Sequence, residues 1–535
     1  MKKVLLVTAT AVVTAGGLGA AVPASADTGR TAGAAALAAP GSIDWGKCEV
    51  SGPNDPMNNA QCATVQVPLD HSEPNGRKIS IAVSRYKHTD EENYQGVLFV
   101  NPGGPGGSGL AYAPALARWI GGTGHADVAA KYDIIGFDPR GVGSSEPRLS
   151  CDPHYSDPIR PDYVPASWRE ERAWLAKSKR YAQDCEEKFG DLLPHMRTTD
   201  AARDVDAIRR ALGQEKISWY GFSYGTYLGA TYATLFPERV KRMVMDGNVN
   251  PKNVWYKSQL EQNKAFEHNI GAWFAWLAKW DSVYRLGDTR DEVEAKYYEV
   301  RAAAEKSPIG GEIGPSELDD IVLSAGYNTG YYIPFGAALS AWVNDEDPSG
   351  LLGWLSHGGD DNGFAVYNAV QAADARWPRN WSKWHNDAVK LVRQGYRFNT
   401  WSNVWFNAPI HFWAVQGGRP FKLDGDRKLP GILLVQSSRD AATPVEGGYA
   451  MHKVFPSSRL VLEVGGRTHS NTLNGNACLD DKVAAYLDTG ALPESRRGAD
   501  AYCDAVPALN DPDPTAMKLK AAGAGAGKDL PVGRP

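Results

Sequence analysis

The chain has 535 residues and a formal net charge of −5, and this length is enough for a large core with an inserted second domain. The negative charge, without any basic run beyond pairs such as Arg209-Arg210, excludes a typical nucleic-acid-binding protein. After the N-terminus, no stretch reaches the roughly 18 consecutive apolar residues of a membrane span.

The N-terminus predicts an exported protein. Met1-Lys2-Lys3, an apolar run to Val22 and a cleavage-like Ala24-Ser25-Ala26 indicate a secretory signal peptide over residues 1–26. The alternative is an N-terminal membrane anchor, against which the Ala/Gly/Thr-rich composition counts. Residues 27–40 lack periodicity and are interpreted as a propeptide or spacer. We therefore expect the mature protein to be extracellular, monomeric and free of membrane contact.

The six cysteines fit an oxidising compartment. Many connectivities are possible, and we expect the one that joins nearest neighbours in the sequence. The expected pairs are Cys48 with Cys62, Cys151 with Cys185, and Cys478 with Cys503. The alternative is a metal site, but the sequence has no CxxC motif or clustered Cys/His spacing. We expect neither a metal nor a cofactor.

Strand-like runs over 63–67 and 79–86 predict an antiparallel start, and the apolar run 96–100 predicts a buried strand. That strand leads into Asn101–Gly109, where many glycines let backbone N–H groups approach a ligand closely. We interpret this segment as an oxyanion-hole loop; the alternative is a flexible glycine loop.

A second buried strand is predicted over 132–137. It ends near Asp138 and Arg140, for which we expect a structural ion pair that braces the loops. Helices are predicted over 165–190 and 199–213, the second with its N-cap region at Thr199 and Asp200. The alternation of strands and helices predicts a mostly parallel sheet with helices on both faces.

A nucleophile-elbow pattern, Gly221-x-Ser223-x-Gly225, follows a β-prone run that ends at Tyr220. Such an elbow is a sharp strand-to-helix turn that holds a serine hydroxyl clear of the sheet, and glycines flank it because the turn crowds the backbone. We predict that Ser223 is a nucleophile and that the amide of Tyr224 helps to form the oxyanion hole. The alternative is an ordinary Gly/Ser turn.

Helical spacing dominates from Pro251 to Lys428, a segment that holds twelve of the 17 tryptophans. The simplest interpretation is a helical domain with an aromatic core. The alternative, favoured by the position of the segment before the closing strands, is a helical cap over the active site with some aromatic side chains in the substrate pocket.

The last predicted strands each precede a candidate catalytic side chain: Asp440 follows 431–436, and His469 follows 459–464. Doubly wound sheets place their active sites at such strand ends. We predict that His469 is the base and Asp440 the acid that orients it, with Asp246, at another strand end, as the alternative acid. The chain order Ser, Asp, His is that of the α/β-hydrolases.

The predicted fold is therefore an α/β-hydrolase, with a mostly parallel central sheet, helices on both faces and an inserted helical cap. The predicted organisation is a signal peptide (1–26), a propeptide or spacer (27–40), the first part of the hydrolase core (41–250), the cap (251–428), the second part of the core (429–505) and a flexible tail (506–535).

Five motifs in order resemble those of the secreted bacterial tripeptidyl aminopeptidases, which belong with the proline iminopeptidases in one serine-peptidase family. They are the elbow, Asn101–Gly107, Asp138–Gly143, Asp440–Pro444 and the terminal His469. The likeness runs from about Ile43 to Cys503 and is greatest to the prolyl tri/tetrapeptidyl aminopeptidases. One departure is Pro102, where proline iminopeptidases have histidine.

The resemblance implies Ser223 as nucleophile, His469 as base, Asp440 as orienting acid, and Gly104 and Tyr224 as oxyanion-hole donors. It implies release of tripeptides, or tetrapeptides, from free N-termini, with proline before the scissile bond. Carboxylates that hold the substrate amine would then lie in the cap, with Glu261, Asp360, Asp361 and Asp374 as candidates.

A secreted carboxylesterase or lipase is the alternative function, since a fold does not fix its substrate. A non-enzymatic binding protein would normally have lost part of the triad. Epoxide hydrolases and dehalogenases have aspartate at the elbow, where this chain has Ser223.

Overall fold

The computed structural model describes residues 43–356, 360–425 and 428–514. Its strands are β1 (Gly46–Lys47), β2 (Gln61–Pro68), β3 (Lys78–Tyr86), β4 (Val97–Asn101), β5 (Asp133–Phe137), β6 (Ile217–Phe222), β7 (Val240–Asp246), β8 (Ile432–Ser437), β9 (Arg459–Val464) and β10 (Ala501–Asp504). They form one sheet in the order β1-β2-β3-β5-β4-β6-β7-β8-β9-β10. The contacts of β2 with β1 and β3, and of β3 with β5, are antiparallel, whereas all other neighbours are parallel.

The helices of the described residues are α1 (Tyr112–Gly122), α2 (Ala126–Ala130), α3 (Trp168–Phe189), α4 (Thr198–Ala211), α5 (Tyr224–Leu235), α6 (Tyr256–Lys279), α7 (Asp281–Tyr284), α8 (Arg290–Lys306), α9 (Pro315–Tyr327), α10 (Tyr332–Asp345), α11 (Ser349–Leu352), α12 (Asp361–Asp374), α13 (Trp381–Arg393), α14 (Thr400–Phe412), α15 (Glu446–Val454), α16 (Ala477–Thr489) and α17 (Pro507–Asn510). Short 3₁₀ helices span Pro56–Asn59, Leu193–His195, Pro237–Arg239 and Thr329–Tyr331.

Helices cover both faces of the sheet. Strand β4 shows why, since its alternate side chains enter two different cores: Val97 and Phe99 pack with residues of α4 and α5, whereas Leu98 and Val100 pack with residues of α1 and α16. Successive side chains of a strand point to opposite faces, so an unbroken apolar run can bury both. The predicted α/β architecture, with its antiparallel start and parallel centre, is confirmed.

The helices α6 to α14 lie between β7 and β8 in the chain. A separate apolar core, which includes Phe266, Trp273 and Tyr297, holds α6, α8, α9 and α10 together. This segment corresponds to the predicted helical cap, whose boundaries stay a prediction. Strand β10, which pairs in parallel with β9, was not anticipated from the sequence.

All three predicted disulfides are confirmed: Cys48–Cys62, Cys151–Cys185 and Cys478–Cys503. The signal peptide (1–26) and propeptide (27–40) predictions lie outside the described residues, as do residues 515–535 of the predicted tail. The start of that tail contacts the inserted helices, because Trp276 Nε1 donates to the carbonyl of Pro512 at 3.0 Å and Thr329 donates to that of Leu509.

The expected ion pair between Asp138 and Arg140 is wrong. Arg140 instead pairs with Asp204, with Nε to Oδ2 and Nη2 to Oδ1 both at 2.7 Å. Both side chains are buried, and the third guanidinium nitrogen, Nη1, donates to the carbonyls of Leu69 and His195. Asp138 and Arg140 do not pair because the Arg140 side chain points towards α4, and the sequence pattern does not indicate this direction.

Removing this buried cation is expected to destabilise the protein strongly. Arg140→Met removes the guanidinium from the buried carboxylate of Asp204, which keeps its contact with His71 Nε2 at 2.8 Å. Breaking a buried ion pair by removing one partner costs about 3–5 kcal/mol. The control is Arg210→Met. This exposed arginine of α4, the helix that carries Asp204, loses its ion pair with Asp206, at a cost of about 0–1 kcal/mol. The free energy of unfolding in urea measures both, and equal losses in the two variants would contradict the assignment.

Helix α4 begins at Thr198, one residue before the predicted start, and its N-terminus is capped by a distant side chain instead of the expected Thr199 and Asp200. Asp374 Oδ1 accepts from the amide of Thr198 at 2.7 Å, and Oδ2 accepts from its hydroxyl at 2.6 Å. Carboxylates are favourable at helix N-termini. Burial raises the pKa of Asp374 to about 6, against the lowering effect of the Thr198 hydrogen bonds.

Candidate active site

Ser223 lies at the turn between β6 and α5, with backbone angles φ 55° and ψ −124°. A non-glycine residue with such a conformation costs about 1–3 kcal/mol and needs support from its surroundings. The support comes from both sides: Ser223 N donates to the carbonyl of Asp246 at 2.9 Å, and Ser223 O accepts from the amide of Thr226 at 2.9 Å. This is the geometry that the elbow motif predicted.

The glycines that flank Ser223 lie where no side chain fits. A Cβ on Gly221 would lie 2.4 Å from Gly225 O, and one on Gly225 would lie 2.6 Å from Asn101 O. Asn101 ends β4, so the glycine-rich loop that follows it is brought against the elbow. The crowding predicted from the motif is therefore present.

Gly103 lies directly against the nucleophile candidate. Its φ is 103°, and a Cβ on it would lie 2.9 Å from Ser223 Cβ and 3.0 Å from Tyr224 N. Its own amide donates to Asn101 Oδ1 at 3.1 Å. The loop and the Tyr224 amide therefore meet beside Ser223, as an oxyanion hole requires.

Asp138 braces the far end of the same loop. Its carboxylate accepts from Ser108 Oγ at 2.6 Å, from Gly109 N at 2.9 Å and from Ser144 N at 2.8 Å. Burial raises the pKa of Asp138, although these hydrogen bonds oppose the shift. The bracing role predicted for this residue holds, with hydrogen-bond donors in place of Arg140.

His469 and Asp440 form a direct hydrogen bond, with Nδ1 2.7 Å from Oδ2. Asp440 is 2% exposed, and its other oxygen, Oδ1, accepts from the amides of Ala442 and Thr443, both at 2.9 Å. The Thr443 hydroxyl donates to Oδ2 at 2.8 Å. Three donors from Ala442 and Thr443 thus fix the carboxylate in one orientation toward the imidazole.

Asp246, the alternative acid, is directed elsewhere. Its Oδ2 accepts from the amide of Thr472 at 2.8 Å and from the Thr472 hydroxyl at 2.5 Å. Asp440 bonds directly to His469, whereas these two hydrogen bonds hold Oδ2 of Asp246 at Thr472. The geometry favours Asp440.

Burial lowers the pKa of His469, but the nearby carboxylate of Asp440 outweighs this effect by its charge and its hydrogen bond, and Asp246 adds a smaller attraction, so the pKa is raised above the usual 6.5. A general base must be neutral to accept a proton. We therefore expect kcat/KM to rise with pH through a midpoint above 6.5. A pH profile on a peptide anilide measures it, and a midpoint well below 6.5 would contradict the proposed environment.

Ser223 and His469 line one cavity of about 610 Å³. Gly104 also lines it, whereas the side chain of Tyr224 is buried behind the elbow, with its hydroxyl 2.8 Å from Thr198 Oγ1. Within the described residues no hydrogen bond joins Ser223 Oγ to His469, and such bonds are often long before substrate binds. Of the five predicted residues, Gly104, Ser223 and His469 therefore line the cavity, while Asp440 supports His469 from behind it.

The walls of this cavity are rich in aromatic side chains, but these are Phe and Tyr, and no tryptophan of the described residues is among them. Most tryptophans of the inserted helices instead pack in the core, including Trp273, Trp377 and Trp405. The candidates for contact with substrate are therefore aromatic side chains of the cavity walls: Phe222, Phe266, Tyr327, Tyr331, Tyr367 and Phe406.

Three of the four carboxylates considered for the substrate amine are engaged within the protein. Glu261 accepts from Asn253, Asp361 from Ser150 and Tyr181, and Asp374 from Thr198. Asp360 lines the cavity and also lines a smaller adjoining space of about 280 Å³. The sequence does not separate these four, because the contacts that engage three of them are with residues distant in the chain or without a recognisable motif.

The sequence pattern did not predict two residues that support His469 and Asp440. The carbonyl of Tyr327, at the end of α9, accepts from the amide of His469 at 2.8 Å. Thr443 enters the sequence analysis only within the motif Asp440–Pro444, although its hydroxyl contacts both Asp440 and His469. A hydroxyl two or three residues after a candidate acid is a signal that could have suggested this contact.

In residues 43–356, 360–425 and 428–514, no helix has both the length and the apolar character to cross a membrane. The same residues contain no group of three or more His, Cys, Asp or Glu side chains arranged to hold a metal ion.

Comparison with known proteins gives two family matches: an alpha/beta hydrolase fold model covers residues 96–298, and a model described as TAP-like protein covers residues 396–503. The chain is 42% identical to a tripeptidyl aminopeptidase of Streptomyces lividans, over 85% of this chain and 86% of that protein. It is 29% identical to the serine protease Hip1 of Mycobacterium tuberculosis, over 85% of this chain and 90% of that protein.

A third relative is carboxylesterase B of Mycobacterium tuberculosis, which is 29% identical over 87% of this chain and 91% of its own length. The Streptomyces relative is clearly more similar, and its match extends over nearly all of both chains. With the elbow, the glycine-rich loop and the Asp440–His469 pair in place, the chain belongs to the tripeptidyl aminopeptidase family of α/β-hydrolases.

Proposed function

We propose that the protein is a secreted serine aminopeptidase that releases tripeptides from free peptide N-termini through an acyl-enzyme, with Ser223, His469 and Asp440 as its catalytic residues. The observation that carries the proposal is the shared cavity of Ser223 and His469, with His469 bonded to Asp440 at 2.7 Å, in a chain 42% identical to a tripeptidyl aminopeptidase. The three disulfides support export, since such bonds persist in oxidising compartments.

The chemistry follows from the orientation of the imidazole. Nδ1 of His469 is engaged by Asp440, so Nε2 accepts the proton of Ser223 as its oxygen attacks the scissile carbonyl. The amides of Gly104 and Tyr224 bind the oxyanion, and each such donor contributes about 3–4 kcal/mol to the transition state. His469 then protonates the departing amine, and water releases the peptide from Ser223 by the reverse sequence.

The cavity suits a short peptide with proline before the scissile bond. Its aromatic walls, with Tyr327 and Phe406 among them, can pack against a proline ring. Asp360, which lines both the cavity and the adjoining space, is the carboxylate proposed to attract the substrate ammonium. The adjoining space also contains Glu317 and Asp320, both of which pair with Arg160, at 2.8 and 2.9 Å. Two carboxylates against one guanidinium leave an excess of negative charge there.

The test compares Ala-Ala-Pro-p-nitroanilide with its N-acetylated form. Hydrogen bonds to a charged group are worth about 1.5–3 kcal/mol, so acetylation is expected to lower kcat/KM by about 10- to 100-fold. Asp360→Asn is expected to reduce the difference in kcat/KM between the two substrates. The control is Asp361→Asn, which changes a neighbouring carboxylate that is engaged by Ser150 and Tyr181. Equal rates on the free and acetylated substrates would contradict recognition of the amine.

A carboxylesterase is the second candidate, because the same residues hydrolyse esters and one relative carries that name. It is distinguished by p-nitrophenyl butyrate. A kcat/KM for this ester well above that for the free peptide anilide would favour the esterase, whereas we expect the peptide to be preferred.

A further inference from the structure

One asparagine of helix α6 contacts three separate backbone segments. Asn269 is 2% exposed. Its Nδ2 donates to the carbonyls of Gly326 at 3.0 Å, Arg439 at 3.0 Å and Arg467 at 3.4 Å. Its Oδ1 accepts from Arg467 Nη1 at 3.0 Å. Both ends of the amide are therefore used, and all its partners lie outside α6.

Two of these segments carry the residues proposed to activate Ser223. Arg439 directly precedes Asp440, and Arg467 lies two residues before His469. The segments follow the neighbouring strands β8 and β9 and are joined to each other by the hydrogen bond from Arg439 N to Gly466 O at 2.9 Å. Asn269 adds a link from the inserted helices to both of them.

The third segment supports the base itself. Gly326 is followed by Tyr327, whose carbonyl accepts from the amide of His469 at 2.8 Å. Asn269 therefore ties the end of α9 to the same two segments. Asn269 is absent from the described walls of the cavity that holds Ser223, so it acts on the site through other residues.

We infer that Asn269 is a positioning residue, which holds the segments of Asp440 and His469 at the separation that proton transfer from Ser223 requires. The inference rests on the proposed function, because it assumes the roles of those three residues. A buried amide with satisfied partners fixes orientation strongly, since hydrogen bonds are stronger in a low dielectric. A misplacement of about 1 Å can cost a catalytic site about 10²-fold in rate.

The first test is Asn269→Ala. We expect kcat on Ala-Ala-Pro-p-nitroanilide to fall by roughly 10- to 100-fold, with KM within about twofold of wild type. The acid limb of kcat/KM should move to lower pH, because Asp440 and, more weakly, Asp246 are the charges that raise the pKa of His469. A lower melting temperature with kcat and the acid limb unchanged would overturn the inference.

The matched control is Asn344→Ala. Asn344 also donates through Nδ2 to several acceptors, the carbonyls of Tyr284 and Ser340 and the Ser340 hydroxyl, but it contacts neither catalytic segment. Its kcat is expected to equal that of wild type. An equal loss of kcat in the two variants would show that removing any asparagine side chain from these helices has the same effect, and it would overturn the inference.

A second variant keeps the test decisive where Asn269→Ala does not fold. Asn269→Asp retains the side-chain volume and an acceptor for Arg467, but it presents an oxygen instead of an N–H donor to the three carbonyls. We therefore expect a similar loss of kcat, and a wild-type kcat would overturn the inference. Labelling of Ser223 by diisopropyl fluorophosphate separates the two proposals. An unlabelled wild type rejects the proposed function, whereas equal labelling rates in wild type and Asn269→Asp reject only the role of Asn269.

Discussion

Replacing Ser223 with alanine is expected to lower kcat on Ala-Ala-Pro-p-nitroanilide by about 10⁴-fold or more. The loss is large because the hydroxyl forms the covalent intermediate, and no other group can replace it. The remaining rate would come from the oxyanion hole and from substrate binding, which alone give about 10³- to 10⁴-fold over water. Initial rates at saturating substrate measure the effect.

The control for this variant is Ser470→Ala. Ser470 lines the same cavity, and its hydroxyl donates to the carbonyl of Asp246 at 3.2 Å, so it tests whether any serine hydroxyl there matters. We expect its kcat to stay within about tenfold of wild type. Thermal unfolding should show that both variants are folded. Wild-type activity in Ser223→Ala would remove this residue from the chemistry.

Replacing Asp440 with asparagine is expected to lower kcat by about 10⁴-fold. Oδ1 accepts from two backbone amides, of Ala442 and Thr443, so the asparagine must keep its carbonyl oxygen there. Its amide nitrogen then faces His469 Nδ1 and donates to it. The histidine is forced to carry its proton on Nε2, where it cannot accept the proton of Ser223.

The comparison is Asp246→Asn. Asp246 bonds to Thr472, and we expect its variant to keep kcat within about tenfold of wild type. Measured side by side on the same peptide anilide, the two variants decide which carboxylate orients the base. A larger loss in Asp246→Asn than in Asp440→Asn would reverse the assignment.

Much of the fold was predictable because the apolar runs of the central strands are unbroken. Residues 97–100 and 134–137 have no polar interruption, as strands buried on both faces require, and the structure contains β4 and β5 there. Strand β10 was not predicted, since Ala501–Asp504 is only four residues long and ends in a charged residue. Its pairing depends on β9, which local sequence does not encode.

The candidate catalytic residues were predictable because each follows a strand, and strand ends of a parallel sheet meet at one edge. Long-range side-chain partners were not predictable. Arg140 pairs with Asp204, which lies 64 residues away, and Asp374 caps a helix that begins 176 residues before it. No periodicity or local motif links such pairs, so only their three-dimensional arrangement reveals them.

The most direct test of the account is to find which residue a serine-directed reagent modifies. The wild-type protein is treated with diisopropyl fluorophosphate, digested and analysed by mass spectrometry, with His469→Ala alongside. We expect one adduct, on Ser223, that forms much more slowly in His469→Ala. An adduct on another residue, or continued hydrolysis of the peptide anilide without an adduct on Ser223, would contradict it.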